Sequence, residues 1–425
     1  MILLYNPFKS TYLLLFFVLN LQLISLAQNS LPPLKNNLIQ SQHPITGAER
    51  TDVYLPFLKD KNIAVVSNQT SVIYTSRDSI FEVFPGETDP YFDHVRYSNT
   101  HLVDSLLSLN ISVKKVFAPE HGFRGKTDAG EIVKDGFDFK TGLPIISLYG
   151  INKKTSAKHL EGIDMVIFDI QDVGARFYTF ISTLHYVMEA CAEMGLPLIV
   201  LDRPNPNGHY IDGPVLESKH TSFVGMHQVP VVYGMTIGEY GLMINGERWL
   251  KNGVQCDLKV IPIDNYTHNT PYSLPIKPSP NLPNDQSINL YPSLCFFEGT
   301  NVSAGRGTQL QFQIYGSPFL KNTNFKFTPQ SNDAEKNPKH KNQQCFGEDL
   351  RTKKRVSQLD LSYLIKAYRN NSSKVFFNPF FTTLAGTKKL QQQIEQGLSV
   401  DEIKNSWKED LRKFKIVREK YVLYK

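Results

Sequence analysis

Cysteine is scarce in this chain, with four residues among 425. Cys191, Cys256, Cys295 and Cys345 are widely and irregularly spaced, and no CxxC pair occurs. This spacing argues against a zinc site, although an exported protein could still join some of these residues in disulfides. Cys191 falls within an apolar helical pattern, which predicts a buried thiol.

The short motifs of several enzyme classes are also missing. The sequence contains no HExxH, GxSxG, Walker or GxGxxG pattern, which argues against zinc proteases, lipases, nucleotidases and dinucleotide-binding enzymes. His121, Asp128, Asp169 and Asp172 are possible metal ligands, but they do not have the spacing of a tight ligand set. We therefore expect neither a metal nor a cofactor.

Beyond the N-terminus, no stretch is apolar enough to cross a bilayer. The N-terminus itself has Lys9 before an apolar run over residues 12–26, and Ser25-Leu26-Ala27 places small residues before Gln28. This pattern predicts a secretory signal peptide over residues 1–27. The alternative, a membrane anchor, needs a longer and uninterrupted run. We expect a periplasmic or secreted protein without a stable membrane anchor after signal cleavage.

Charge is unevenly distributed along the chain. The net charge is +6, and residues 351–425 carry 17 Lys and Arg against 7 Asp and Glu. A basic region can attract an anionic polymer, whereas a solvated helix face is the simpler explanation. Because the chain carries an export signal, we expect no nucleic-acid partner.

Short apolar segments alternate with helical patterns after a polar linker over residues 28–45. The predicted strands are 63–67, 113–117, 143–148, 165–170 and 198–201, and the longest predicted helix between them is 179–194. Near-continuous apolar strands of this kind predict an α/β fold, with a parallel sheet covered by helices on both faces. Residues 76–98 are interpreted as a loop insertion. The alternation weakens after about residue 255, so we predict a first domain over 46–257 and a second over 258–425.

Polar residues follow directly after several of these strands. Asn68, Glu120, Asp172 and Asp202 each come just past the carboxyl end of a predicted strand. Ligands of open α/β sheets bind at that edge, so we expect these side chains to converge although they are distant in sequence.

Glu120 lies in the segment Ala118-Pro119-Glu120-His121-Gly122. A carboxyl group held at the sheet edge and partly shielded from water can protonate a glycosidic oxygen. His121 could influence Glu120 or carry a proton, and Arg124 could bind an anionic group of a substrate. The alternatives are that Glu120 is a surface turn residue or that it pairs with Arg124.

Residues 168–179 are dense in functional groups. Arg176 can bind a carboxylate through two parallel hydrogen bonds, Tyr178 can stack on a sugar, and Asp172 lies nearest the strand end. The alternative is an Asp–Arg pair that locks the loop.

The stiff, polar loop 202–208 and the acidic residue Glu217 complete the candidates. Asn205 and Asn207 could hold hydroxyl or acetamido groups, and Asp202 is a further candidate for substrate binding, although a Pro/Asn turn explains the loop equally well. Glu217 and Asp172 are rival second carboxylates, because a glycosidase commonly needs two.

These segments resemble the exo-β-N-acetylmuramidase family, and the resemblance covers nearly all of residues 45–425. The motifs that carry it are Asn68-Gln69-Thr70, Ala118 to Gly125, Asp169 to Arg176, Asp202 to Pro206, Pro278-Ser279-Pro280-Asn281, Glu298-Gly299-Thr300 and Gly305-Arg306-Gly307-Thr308.

The resemblance implies a glycosidase that removes terminal N-acetylmuramic acid from the non-reducing end of peptidoglycan fragments. It also implies a Rossmann-like catalytic domain and a smaller C-terminal α+β domain. Glu120 matches the family's proposed catalytic glutamate, and Asn281 lies in a matching motif. The lactyl carboxylate of the sugar requires a cation, for which Arg176, Arg203 and Arg306 are the candidates.

Two other functions remain open from the sequence. One is a metal-dependent hydrolase of cell-wall amides or esters, and the other is a peptidoglycan-binding protein without catalysis. For a glycosidase, the 2-acetamido group of the substrate could replace the second carboxylate as an internal nucleophile.

Overall fold

The computed structural model describes residues 43–81, 93–125, 135–150, 152–321 and 323–425, and only the backbone of 75–81 and 93–97. The predicted signal peptide, most of the predicted linker and Asp128 lie outside these residues. None of the described helices is long and apolar enough to cross a membrane.

The described residues up to 261 contain the strands of the main sheet and of a separate two-stranded sheet. They are β1 (Asn62–Ser67), β2 (Val72–Phe81), β3 (Asp93–His101), β4 (Ser112–Ala118), β5 (Gly136–Phe137), β6 (Pro144–Ser147), β7 (Met165–Asp169), β8 (Leu198–Leu201) and β9 (Leu258–Ile261).

The main sheet has the strand order β5-β6-β4-β1-β7-β8-β9 and is parallel except for the short edge strand β5. The five predicted strands are therefore confirmed, with ends that differ by at most one residue. β9 lies beyond the predicted domain end at 257, yet it pairs with β8 and extends the same sheet. The division into two domains stays a prediction.

Helices cover both faces of the sheet. The described helices are α1 (Thr51–Leu58), α2 (Leu102–Ser108), α3 (Ala157–Leu160), α4 (Phe180–Met194), α5 (Ile237–Gly246), α6 (Asp285–Leu294), α7 (Ser362–Asn370), α8 (Phe380–Ala385), α9 (Lys389–Glu395), α10 (Val400–Asn405) and α11 (Lys408–Arg418).

Successive residues of β1 enter different hydrophobic clusters. Ile63 and Val65 pack in the cluster that contains α1 and α2, whereas Ala64 and Val66 pack in the cluster that contains α4. Because successive side chains of a strand point to opposite faces, a strand covered on both sides must be apolar throughout. This packing explains the uninterrupted apolar runs and confirms the predicted α/β fold.

Local sequence signals set two of the helix ends. α4 ends at Gly195, which has a left-handed φ of 65°. α5 begins at a capping box in which the Thr236 N–H donates to the Glu239 carboxylate at 2.9 Å. Cys191 is fully buried within α4, as predicted.

A loop insertion was predicted over residues 76–98, of which 82–92 lie outside the described residues. In the described parts, the backbones of β2 and β3 form an antiparallel ladder instead. Ladder hydrogen bonds join main-chain groups whatever the side chains are, so the polar composition of this segment concealed the pairing.

The C-terminal part is a smaller α+β arrangement, as predicted. β10 (Ile314–Ser317), β11 (Phe325–Phe327) and β12 (Cys345–Asp349) form an antiparallel sheet in the order β10-β12-β11. The largest hydrophobic cluster contains Phe381 and Trp407 together with Phe168 of the main sheet. Residues of the main sheet and of the C-terminal part therefore share one core.

His101 is expected to make the stability of the fold depend on pH. Its Nε2 donates to the Asn68 carbonyl at 2.9 Å, and its Nδ1 accepts from the Val103 N–H at 3.2 Å, where it caps α2. The contact of Nδ1 requires the neutral ring, because a protonated Nδ1 cannot accept a hydrogen bond, and burial lowers the pKa of His101 from 6.5 to about 4. The unfolded chain therefore binds this proton first as the pH falls. We expect His101 to remove up to about 3 kcal/mol of stability between pH 6.5 and 4.

Urea denaturation at pH 7 and pH 4.5 measures this effect. Asn can retain an N-cap acceptor but does not titrate, so His101→Asn should lose less stability on acidification than the wild type. An equal loss in both proteins would assign the acid sensitivity to other groups.

Candidate functional site

The turn after β4 places Glu120 at the carboxyl edge of the main sheet. The Gly122 N–H donates to the Pro119 carbonyl at 3.0 Å, which closes the turn. His121 has a left-handed backbone with φ of 72°, although it is not glycine, and its side chain is only 3% exposed. Such a conformation is uncommon for a residue with a Cβ, so the surrounding packing holds the turn.

A cavity of about 270 Å³ lies beside this turn. Ligand pockets usually have volumes of about 300–1,000 Å³, so this cavity suits a short sugar ligand better than a glycan strand. Its lining includes the predicted residues Glu120, His121, Tyr178, Asn281 and Arg306, together with Tyr149, Thr179, Phe223, Glu298 and Phe380, which were not selected from the sequence.

Two hydroxyl groups orient the Glu120 carboxyl group. Thr179 Oγ1 donates to Glu120 Oε2 at 2.7 Å, and Tyr149 also hydrogen-bonds to Glu120. Burial, and then the charge of Glu120, raise the pKa of Tyr149, so its hydroxyl keeps its proton and acts as a donor. Glu120 is therefore held in place by side chains from two different loops.

Arg306 brings a positive charge to the cavity. Its Nη1 lies 2.8 Å from Glu298 Oε1, and its Nη2 lies 2.5 Å from Glu335 Oε2. Its Nε is buried and has no hydrogen-bond partner among the described residues. Because buried donors normally have an acceptor, this N–H is available to donate a hydrogen bond to a ligand.

Asn281 provides a hydrogen-bond acceptor, which complements the donor of Arg306. Its Nδ2 donates to the Ala334 carbonyl at 2.9 Å, which fixes the amide, and its Oδ1 is buried without a partner in the described part of the chain. This oxygen can accept from an N–H or O–H of a ligand. Tyr178 belongs to the same lining and is anchored by its hydroxyl, which donates to the Pro278 carbonyl at 2.8 Å.

The two predicted second carboxylates lie away from the described lining of this cavity. Asp172 is 3% exposed, and its Oδ2 accepts from the Gly174 N–H at 2.7 Å and from the Tyr233 hydroxyl. Burial raises the pKa of Asp172 to about 6. Glu217 accepts from Thr387 Oγ1 at 2.8 Å and pairs with two lysines. The structure therefore does not bring either of them beside Glu120.

The cavity contains Glu298 as its second carboxylate instead. Glu298 stands in one of the motifs that carry the family resemblance, but its sequence neighbourhood does not connect it to the sheet edge. Only the fold of the C-terminal part brings it to the same cavity as Glu120.

Two of the three arginines proposed for the lactyl carboxylate are buried and bind groups in the protein interior. Arg176 is fully buried and donates to four main-chain carbonyls at 2.7–2.9 Å, two of them in residues 384–385. Arg203 forms a two-pronged ion pair with Asp169, at 2.6 and 2.9 Å. Arg176 Nε has no partner among the described residues, but neither Arg176 nor Arg203 belongs to the described lining of the cavity. This leaves Arg306 as the candidate at the cavity.

The remaining predicted substrate ligands are also bound to protein groups. Asn68, Arg124, Asp202 and Asn205 contact Thr70, Asp138, Tyr424 and the Met235 carbonyl, respectively. Buried polar groups need such partners, so these residues shape the loops that surround the site. No three His, Cys, Asp or Glu residues in the described ranges are grouped to hold a metal ion.

Sequence signals could have identified some of the residues that were not selected. Tyr149 follows β6 as Glu120 follows β4, so the strand-end rule applies to it equally. Thr179 immediately precedes α4. Phe223 lies in an irregular segment, and no local pattern marks it.

Comparisons with known proteins agree with this architecture. Residues 92–286 match the model of the N-terminal domain of exo-beta-N-acetylmuramidase NamZ, and residues 289–424 match the model of its C-terminal domain. The peptidoglycan beta-N-acetylmuramidase NamZ of Bacillus subtilis (strain 168) is 35% identical over 422 residues, which covers 94% of this chain and 95% of that protein.

Two crystal structures of DUF1343 family proteins from Bacteroides fragilis NCTC 9343 have a similar fold. One has 47% sequence identity and a TM-score of 0.78, and the other has 26% identity and a TM-score of 0.72. Each comparison covers 90% of this chain and 99% of the solved chain. The two family models and the near-complete match to the Bacillus protein show that this chain belongs to the exo-β-N-acetylmuramidase family.

Proposed function

We propose that this protein is a glycosidase that hydrolyses terminal, non-reducing N-acetylmuramic acid residues from peptidoglycan fragments. The observation that carries the proposal is the cavity itself. Its lining contains Glu120 together with Arg306 and Asn281, and in the described part of the chain Arg306 Nε and Asn281 Oδ1 are buried without a partner. The relative from Bacillus subtilis, named a peptidoglycan beta-N-acetylmuramidase, supports the same substrate class.

Glu120 is the proposed general acid. Cleavage of a glycosidic bond requires protonation of the leaving oxygen, and a carboxyl group beside the bond supplies the proton. The hydrogen bond from Thr179 to Oε2 and the contact with Tyr149 fix the direction of this group. Preorganisation of this kind avoids the cost of orienting the acid during the reaction.

The two unpaired atoms match the substituents that distinguish the substrate. N-acetylmuramic acid carries a lactyl carboxylate, which can accept from Arg306 Nε, and an acetamido N–H, which can donate to Asn281 Oδ1. A site with buried groups of this kind penalises substrates that lack the matching substituent, because its own donor or acceptor then stays unpaired.

The second group of the reaction has two candidates. Glu298 lies in the cavity, but its Oε1 is bound by Arg306, which keeps the carboxyl group oriented. The acetamido oxygen of the substrate can attack the anomeric carbon instead. In that case Glu120 is the acid, and Glu298 acts by holding Arg306.

A direct assay tests the proposed function. Purified protein is incubated with a disaccharide of N-acetylmuramic acid linked to N-acetylglucosamine, and with the disaccharide of reversed order. Release of free N-acetylmuramic acid from the first substrate alone is expected. Activity that a chelator abolishes and a divalent ion restores would favour a metal-dependent amide or ester hydrolase. Saturable binding without turnover would favour a binding protein.

Arg306→Lys tests the recognition of the lactyl group. Lysine keeps the charge but loses the planar, multidentate donor set, so we expect kcat/KM on the muramic acid substrate to fall about 10- to 100-fold. A chromogenic N-acetylglucosaminide lacks the lactyl group, and slow hydrolysis of it should change little. Equal losses on both substrates would indicate a structural role for Arg306.

We also propose that the protein is exported from the cytoplasm. Peptidoglycan lies outside the cytoplasmic membrane, and the N-terminal sequence has the pattern of a signal peptide. N-terminal sequencing of the protein from a periplasmic or culture fraction should begin at Gln28. A start at Met1 in those fractions would contradict cleavage.

A further inference from the structure

The lining of the cavity is aromatic beside Glu120. Tyr149, which hydrogen-bonds to Glu120, has its ring centroid 6.2 Å from that of Phe223. Both rings line the cavity, as does Phe380, which is 38% exposed. Phe223 therefore lies next to Tyr149, the residue that hydrogen-bonds to the proposed acid.

The surroundings hold Phe223 firmly although it lies in an irregular segment. The ring of Tyr186 is nearly parallel to it, at an interplanar angle of 14° and a centroid distance of 6.3 Å. Lys153 Nζ lies 4.7 Å from the centroid of the Phe223 ring, a cation–π contact. A ring supported in this way loses little conformational freedom when a ligand packs on it.

The main chain at this position is fixed as well. The Ser222 N–H donates to the Gly225 carbonyl at 2.9 Å, and the Gly225 N–H donates back to Ser222 at 3.1 Å. Ser182 Oγ of α4 donates to the Phe223 carbonyl at 2.7 Å. Phe223 is thus presented on a tight turn that is fastened to the helix behind it.

The polar and aromatic parts of the cavity suit the two halves of one substrate. Arg306 and Asn281 provide the groups that match the substituents of the terminal sugar and that have no partner among the described residues. The bond to be cleaved must lie at Glu120, so the leaving group is the part of the substrate next to the rings that adjoin Glu120. The faces of a pyranose ring are patches of C–H groups, which pack well against aromatic side chains.

On the basis of the proposed function, we propose that Phe223 is the platform on which the leaving-group sugar packs. Tyr186 and Lys153 are its supports. The preferred substrates are then muramic acid glycosides whose leaving group is itself a sugar. A small leaving group does not make this contact with Phe223. Phe223 takes no part in the chemistry, and its contribution is to bind and orient the leaving group.

Two substrates with the same terminal sugar separate this role from a general loss of activity. The disaccharide of N-acetylmuramic acid and N-acetylglucosamine has a sugar as its leaving group, whereas β-N-acetylmuramyl fluoride has a single atom. Phe223→Leu should lower kcat/KM for the disaccharide about 10-fold and change the rate with the fluoride less than about 2-fold. Phe223→Tyr, which keeps the ring, should restore most of the loss.

Lys153→Met supplies a second, milder variant that leaves the cavity lining intact. It should lower kcat/KM for the disaccharide in the same selective way, and Lys153→Arg should retain the wild-type ratio because a guanidinium also stacks on aromatic rings. Equal losses on both substrates, or no loss on either, would overturn the proposal. A wild-type protein that cleaves neither substrate would instead overturn the proposed function on which it rests.

Discussion

Replacement of Glu120 by Gln is expected to lower kcat for the muramic acid disaccharide about 10²- to 10⁴-fold, the usual contribution of a general acid. Gln keeps the size of the side chain and can still contact Thr179 and Tyr149, but it cannot donate the required proton. The fold should be unaffected, because Glu120 lies in a turn at the wall of a cavity.

The fluoride substrate makes this prediction specific for proton donation. Fluoride leaves as an anion without protonation, so Glu120→Gln should retain most of the wild-type activity on β-N-acetylmuramyl fluoride. A large loss on both substrates would assign Glu120 to the attack on the anomeric carbon. An unchanged rate on the disaccharide would exclude Glu120 as the acid. Glu409→Gln, in an exposed ion pair of α11, is the matched control and should behave as the wild type.

Arg203→Met is expected to lower the free energy of unfolding by about 3–5 kcal/mol, the cost of leaving one member of a buried ion pair unpaired. Arg203 and Asp169 are 2% and 0% exposed, and two hydrogen bonds of 2.6 and 2.9 Å join them. Methionine fills a similar volume but leaves the Asp169 carboxylate without its cation. Urea denaturation at pH 7 measures the difference.

Two further variants show whether the pair itself is responsible. Arg412→Met removes an arginine whose side chain is 62% exposed from its pair with Glu409, and it should change stability by less than about 1 kcal/mol. The double variant Asp169→Leu/Arg203→Met removes both charges and should recover part of the loss. A small effect of Arg203→Met alone would return Arg203 to the list of candidate substrate ligands.

Much of the fold could be predicted because its signals are local. The strands of the main sheet are apolar on both faces, and Gly195 and Thr236 mark helix ends by backbone conformation and capping. The β2–β3 pairing could not be predicted in this way, because its ladder is made of main-chain groups that polar side chains do not reveal.

The candidate site was predictable only at the level of the sheet edge. The sequence determined that Glu120 follows a buried parallel strand, and that position puts it where such sheets bind ligands. It also determined that several arginines were available for an anionic substituent. The tertiary structure decided that Arg176 and Arg203 satisfy interior groups, whereas Arg306 reaches the cavity with Glu298. The physical reason is that a buried guanidinium takes whichever acceptors the fold brings to it, and those acceptors lie far away in sequence.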